Sequence, residues 1–292
     1  MELWQQYIRP TNIHEALKVL AYSPGPACLI AGGTDLMLDL QQNRHAPVHT
    51  LVDITSIPEM TTLEVRAQEL FIGAAAPLSR IASSPLVVEH ARALVEACRL
   101  IGGPQVRNMA TLGGNVAHAL PAADGTIALM ALDARVEIAS LEGRRTLPLA
   151  DLFLGPGQSA IKAGRELLVG FHLPLKKLHQ ASAFKRVMRS QGIALPILNL
   201  AVWLERQSGQ IAQIRIAVGP SGTIPRRMPD AEQILCGQAF TPERNSTALE
   251  ALLDQAHFRT SPHRASLEYR QHLVTGLFQE TLLTAWERAD AV

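Results

Sequence analysis

Two glycine-centred stretches carry the residue types best suited to hold a polyanion: Ala31-Gly32-Gly33-Thr34-Asp35 and Thr111-Leu112-Gly113-Gly114-Asn115. Each sets a Gly-Gly pair beside a small hydroxyl residue, just beyond an apolar segment. Glycine lets backbone N–H groups approach an anion with no Cβ in the way. Successive N–H groups in such a turn form an anion-binding concavity. Thr34, Thr111 and Asn115 add side-chain donors. Two such loops on opposite sides suit a pyrophosphate better than a single phosphate. Asp35 and Asp124 fit beside it if they accept from ribose hydroxyls or from neighbouring backbone N–H groups. The competing reading is a pair of ordinary turns, which glycine also marks. Neither stretch has the Gly-x-Gly-x-x-Gly spacing of a dinucleotide site or the Gly-Lys-Ser/Thr ending of a P-loop.

Other chemistries find little support. The ten histidines are scattered, with no i, i+4 pair beside a carboxylate. His90 falls on an apolar helical face and reads as a hydrogen-bonded core histidine; His118 lies in the second glycine stretch. No Ser-His-Asp set has a nucleophile-elbow context. Three dispersed cysteines, Cys28, Cys98 and Cys236, supply neither an iron–sulfur nor a zinc ligand set, and fit a reducing compartment. Formal net charge is +1, so nothing drives binding to a phosphate backbone. The N-terminus lacks the basic and apolar regions of a secretory signal, and no apolar run approaches the roughly 20 residues that span a bilayer. The expectation is a cytoplasmic chain. Arg226-Arg227 reads as a solvated charge pair.

At 292 residues the chain is longer than one core usually supports, so two or three domains are expected. Asn12 with Glu15 makes a capping-box-like start, and Ile13, Ala16, Leu17, Leu20 and Ala21 then share a helical face. Residues 27–31 form a short buried strand that runs into Gly32-Gly33. Residues 35–44 read as a helix, and 49–54 and 70–76 as buried strands. Residues 78–101 are helical, with Pro85 opening a second helix and Leu86, His90, Leu94, Ala97 and Ile101 near one stripe. Residues 102–125 form a loop long enough to be functional; a buried helix (126–132) and a strand (134–140) follow. Segments 167–173, 182–188, 197–205 and 211–218 read as consecutive strands, with Ser208-Gly209 as a hairpin turn. Helices at 229–235, 242–256 and 261–289 close the chain; Leu273, Leu277, Leu282 and Trp286 on the last read as core or subunit contact. Alternating strands and helices give way to strands and then helices, an α+β chain.

In order and spacing, "YIRPTNIHEALKVLA", "IAGGTDL", "LVDIT", "IGAAAPLSRI", "IGGPQVRNMATLGGNVAHALPAADGTIALMALDARVEI", "ELLVGFHLP" and "SAFKRVMR" resemble one family. It is the FAD-binding (medium) subunit of the xanthine dehydrogenase and carbon monoxide dehydrogenase molybdenum hydroxylases. The similarity extends over nearly the whole chain. It implies a two-part α/β FAD-binding domain of the vanillyl-alcohol-oxidase-like type, residues 1–57 and 58–176, followed by an α+β C-terminal domain, 177–292. Cys28, Leu29, Ile30, Ala31, Gly32, Gly33, Thr34 and Asp35 resemble the loop around the FAD pyrophosphate. Thr111, Leu112, Gly113, Gly114 and Asn115 resemble the loop that closes on it, and Asp124 matches an acidic cofactor contact. Ile101 matches a position near the flavin ring, Leu167 or Leu168 an aliphatic residue packed on it, and Lys185 a basic position nearby. A cation there favours reduced, anionic flavin.

Two departures from the family's pattern are visible. Many relatives carry an acid a few residues beyond the "FKxxxR" strand, whereas "MRSQGIALPI" has none. Thr34 stands where some flavoproteins of the wider fold attach FAD through histidine, which implies non-covalent FAD. The resemblance implies an electron-transfer subunit. It would take electrons singly from an iron–sulfur partner and pass them through FAD to NAD or another acceptor. Molybdopterin and 2Fe-2S clusters are then expected on partner subunits, and no side chain here need act as a general acid or base. Two alternatives stay open. A stand-alone flavin oxidase or dehydrogenase would need an acid/base residue by the flavin, yet the ring-contact segments are aliphatic and glycine-rich. A scaffold that has lost FAD sits poorly with intact Gly pairs.

Overall fold

The computed structural model describes residues 3–189, 195–262 and 264–290. A parallel sheet opens the chain: β1 (Trp4–Ile8), β2 (Ala27–Ile30) and β3 (Val48–Asp53), in spatial order β1-β3-β2. The helix Ile13–Tyr22 joins β1 to β2 and buries Ile13, Ala16, Leu17 and Leu20. Its start is a displaced capping box. Asn12 Oδ1 accepts from the Glu15 N–H at 2.9 Å, while the Glu15 carboxylate reaches back to the Thr11 N–H at 2.7 Å.

The second sheet is antiparallel. It comprises β4 (Leu63–Arg66), β5 (Glu69–Gly73), β6 (Arg135–Ser140) and β7 (Gly143–Pro148) and, after the small ribbon of β8 (Phe153–Gly155) and β9 (Gln158–Ser159), β10 (Leu167–Pro174). Its order is β4-β5-β10-β6-β7. Sequence reading grouped β10 with the strands that follow it. The structure instead seats it in the middle of this sheet, where an almost wholly buried run is at home. β1 and β4 were not anticipated; both are short and largely exposed, without a strong apolar alternation.

Residues 78–101 form three helices rather than two, Leu78–Ser83, Pro85–His90 and Arg92–Leu100, because the chain turns sharply at Ala91. The stripe through His90 is therefore broken, and its buried Nδ1 has no hydrogen-bond partner, contrary to the expectation. The long loop 102–125 also contains two short helices, Pro104–Met109 and Leu112–Ala117.

The third sheet contains β11 (Gln180–Met188), β12 (Pro196–Gln207), β13 (Gln210–Gly219), β14 (Arg226–Arg227) and β15 (Gln238–Ala239), in order β11-β12-β13-β14 with β15 against β13. Ser208 and Gly209 turn the β12–β13 hairpin with φ of +50° and +76°, as a tight two-residue turn requires. Both faces of this sheet are buried. Ala183, Leu200, Val202 and Ile216 face the helices Pro229–Leu235, Pro242–Gln255 and Leu267–Asp290. Phe184, Ala201, Trp203 and Ala217 join the core of the N-terminal part, as the two-residue period of a strand dictates. The last helix begins at Leu267, later than expected, and Leu277 and Leu282 are core, with Trp286 stacked on Phe240. Arg227 is not a solvated charge: it forks onto Glu232 at 2.9 and 2.6 Å. Among the described residues no helix is long and apolar enough to cross a membrane.

Candidate functional site

The first glycine stretch leaves the C-terminal end of β2 and turns into the helix Leu36–Gln41. Gly33 sits at φ +68°, a conformation that disfavours any side chain. Among the described residues, the backbone N–H groups of Gly32, Gly33, Thr34, Asp35 and Leu36 have no acceptor within the chain. Buried backbone donors are normally paired, and a run of free ones at a half-exposed turn is available to water or to an anion. The Thr34 hydroxyl donates to Asp35 at 3.2 Å, and Asp35 is exposed. Cys28 and Leu29 are half-buried on β2, and Ile30 is buried beneath the turn.

The second stretch abuts the first. A Cβ on Gly32 would collide with the Met109 carbonyl, so the backbone directly before Thr111 lies against Gly32 with no room for a methyl group. Unlike the first stretch, this one satisfies its N–H groups from Leu112 to Asn115. Leu112 donates to the Ala76 carbonyl, Gly113 to Ala74 at 2.7 Å, Gly114 to the Thr111 hydroxyl at 3.1 Å and Asn115 to the Thr111 carbonyl. Thr111 is thus a helix N-cap. Gly113 is required by packing, since its Cβ would come 2.6 Å from the Ala74 carbonyl oxygen. What the stretch still offers a ligand is the exposed backbone face of Gly114 and the side-chain donor of Asn115, whose Oδ1 is buried against Gly125.

Gly125 leads to the third component. Asp124 opens the helix Asp124–Ala131 and is almost fully buried. Sequence reading gave it ribose hydroxyls or backbone N–H groups as partners; within the chain it is held by side chains. Asn199 Nδ2 donates to Oδ1 at 2.6 Å, and the Arg186 guanidinium pairs with Oδ2. Burial pushes the Asp124 carboxyl up, while Arg186 and Asn199 pull it down. Arg186 also donates to the carbonyl of Leu100, the last residue of the helix Arg92–Leu100. Arg107 donates to the next carbonyl, Ile101, at 3.3 Å and to Gly102 at 2.6 Å. Ile101 is half-exposed beside this cluster. Cys98, on the same helix, is fully buried, and burial holds its thiol protonated.

Leu167 and Leu168 lie at the start of β10. The Val169 carbonyl accepts from Ala74, the residue against which Gly113 packs, so these leucines lie close to the second stretch. Lys185 is set apart. Its side chain leaves the opposite face of β11 and pairs with Glu280 on the last helix at 3.1 Å. The cation on the inner face is Arg186, which sequence reading missed. Strand alternation could have found it: Phe184 and Arg186 share a face, and Lys185 cannot join them. Asn199 and Arg107 had no local signal, since their partners lie on distant segments. Residues 190–194 of "MRSQGIALPI" lie outside the described residues. Among the described residues, no three His, Cys, Asp or Glu are placed to hold a metal ion.

A half-exposed turn with free backbone donors at the end of a parallel strand suits a phosphate-bearing ligand. Residues 3–176 match the family described as FAD binding domain in molybdopterin dehydrogenase, and residues 182–285 match the CO dehydrogenase flavoprotein C-terminal domain. The chain is 33% identical to the nicotine 6-hydroxylase medium subunit of Paenarthrobacter nicotinovorans, over 97% of this chain and 98% of that one. It is 31% identical to a putative xanthine dehydrogenase FAD-binding subunit of Escherichia coli (strain K12), over 96% and 95%. Its structure is similar to that of a chain of carbon monoxide dehydrogenase from Hydrogenophaga pseudoflava lacking the Mo-pyranopterin moiety. The TM-score is 0.90, at 28% identity over 97% of each chain. The chain belongs to the FAD-binding subunits of the molybdenum hydroxylase family, oxidoreductases of the xanthine and carbon monoxide dehydrogenase group.

Proposed function

We propose that this chain holds FAD non-covalently between its two glycine stretches and relays electrons from an iron–sulfur subunit to NAD or another acceptor. It would do so in a cytoplasmic complex whose molybdenum subunit carries out the hydroxylation. The observation that carries the reading is the run of five backbone N–H groups from Gly32 to Leu36 that have no acceptor among the described residues, a set of donors suited to a pyrophosphate. Cys28, Leu29, Ile30 and Ala31 deliver the chain to that cradle, and Thr34 and Asp35 border it. Thr111, Leu112, Gly113 and Gly114 form the facing wall, from which Asn115 reaches the ligand. Ile101 supplies apolar surface for the ring; Leu167 is fully buried in the chain's own core and offers it none, Leu168 is all but buried, and Asp124 stands at the inner end. Lys185, paired with Glu280, takes no part.

Bound FAD exchanges single electrons with a cluster and electron pairs with an acceptor. The chain's own residues bind and orient it, and the reading asks none of them to act as a general acid or base. With Thr34 where a tethering histidine would stand, precipitation of the loaded protein with acid should release all flavin to the supernatant. The decisive test is reconstitution. The purified chain should take up one FAD and show a flavin absorption spectrum, and a chain that stays colourless at saturating FAD refutes the reading. Pull-down from the native host should recover an iron–sulfur protein and a large molybdenum protein.

A further inference from the structure

The Arg186–Asp124 pair is the most deeply buried ion pair around the site, with 2% and 3% of the two side chains exposed. It joins three elements. Arg186 projects from β11 of the C-terminal sheet, one nitrogen on the Leu100 carbonyl at the end of one helix and another on Asp124 at the start of a second. A helix end bears partial negative charge at its C-terminus and partial positive charge at its N-terminus. Signs therefore alternate along the line: helix C-terminus, guanidinium, carboxylate, helix N-terminus. The ladder is self-neutralising, and its two full charges sum to zero where water cannot screen them.

A lone cation at this place would draw a bound flavin toward its anionic reduced form. Oxidised flavin takes up two electrons and one proton to reach that form, and an adjacent positive charge stabilises the negative charge left on the ring. Resting on the reading that FAD binds here with its ring near Ile101, we infer that Asp124 masks Arg186, so that the Arg186 guanidinium, unlike that of Arg107 on the Ile101 and Gly102 carbonyls, adds no net positive charge to the local contribution to the flavin midpoint potential. Arg186 is then a positioning residue whose charge is held in check. Asn199 completes the device by fixing the second carboxylate oxygen at 2.6 Å, which leaves Asp124 little freedom to turn away.

The test is the midpoint potential of bound FAD, measured by spectroelectrochemical titration at saturating FAD, in variants that change the sum of charges. Asp124→Asn leaves a net positive charge and should raise the potential. Arg186→Met/Asp124→Asn returns the sum to zero and should bring the potential back toward the wild-type value. Arg186→Lys/Asp124→Asn keeps the cation and should stay raised, which preserves the test if the methionine variant does not fold. A merely structural pair gives a different pattern, with the double variants at least as disturbed as the single one. An unchanged or lowered potential in Asp124→Asn overturns the inference, as does a double variant that fails to return. A wild-type chain that takes up no FAD at all sinks the cofactor reading first, before any variant is compared.

Discussion

The two glycine stretches look alike in sequence and differ in what they leave unsatisfied. From Gly32 to Leu36 the backbone donors are free among the described residues; from Leu112 to Asn115 every backbone donor is already taken within the chain. The first stretch is a cradle made of main chain, and its glycines serve conformation. The second is a brace: Thr111 caps a short helix, Gly113 packs on Ala74, and the backbone before it closes over Gly32. On the proposed reading, similar motifs divide the labour of one site. Substitutions in the first should act on cofactor binding through backbone geometry; those in the second should act through stability or a single side chain.

The sharpest break of that contrast comes at Gly32. Any Cβ there strikes the Met109 carbonyl, so Gly32→Val should lose retained FAD altogether on gel filtration, with a stability loss of about 1–3 kcal/mol from overpacking. Gly113→Ala should cost a similar 1–3 kcal/mol in urea denaturation, because its methyl meets Ala74 backbone. Its FAD affinity should fall only as far as the brace loosens. Asn115→Ala removes a side-chain donor and should weaken FAD by about threefold to tenfold in fluorescence titration, with little change in melting temperature. Thr111→Ala should cost about 1 kcal/mol as a lost N-cap, read as a lower melting temperature. Lys185→Ala should leave FAD affinity unchanged and stability within about 0.5 kcal/mol, since it breaks only an exposed pair with Glu280.

Much of this molecule could be read from local pattern. The Asn12 start, the strand into Gly32, the hairpin at Ser208-Gly209 and the helix from Pro242 all rest on signals within a few residues, and they stand where expected. What escaped depends on distant partners. β10 reads as the first of a run of strands until β5 and β6 flank it. The two glycine stretches could be found as motifs, but nothing local says which of them spends its own N–H groups. Lys185 matches the family's basic position near the flavin, and only the pleat of β11 reveals that Arg186 points inward and Lys185 outward. The partners of Arg186 lie on the helices ending at Leu100 and starting at Asp124, far away in sequence.

The central claim is that main-chain donors around Gly33 hold the cofactor. FAD titration of Gly33→Val beside the wild-type chain tests it most directly. At φ +68° a β-branched residue is strained, so the turn must reshape and its donors diverge. The account predicts an affinity at least about tenfold weaker, the loss of roughly one charge-assisted hydrogen bond or more, with circular dichroism and gel filtration unchanged. A folded Gly33→Val chain that binds FAD as tightly as wild type would contradict it and reduce the stretch to an ordinary turn.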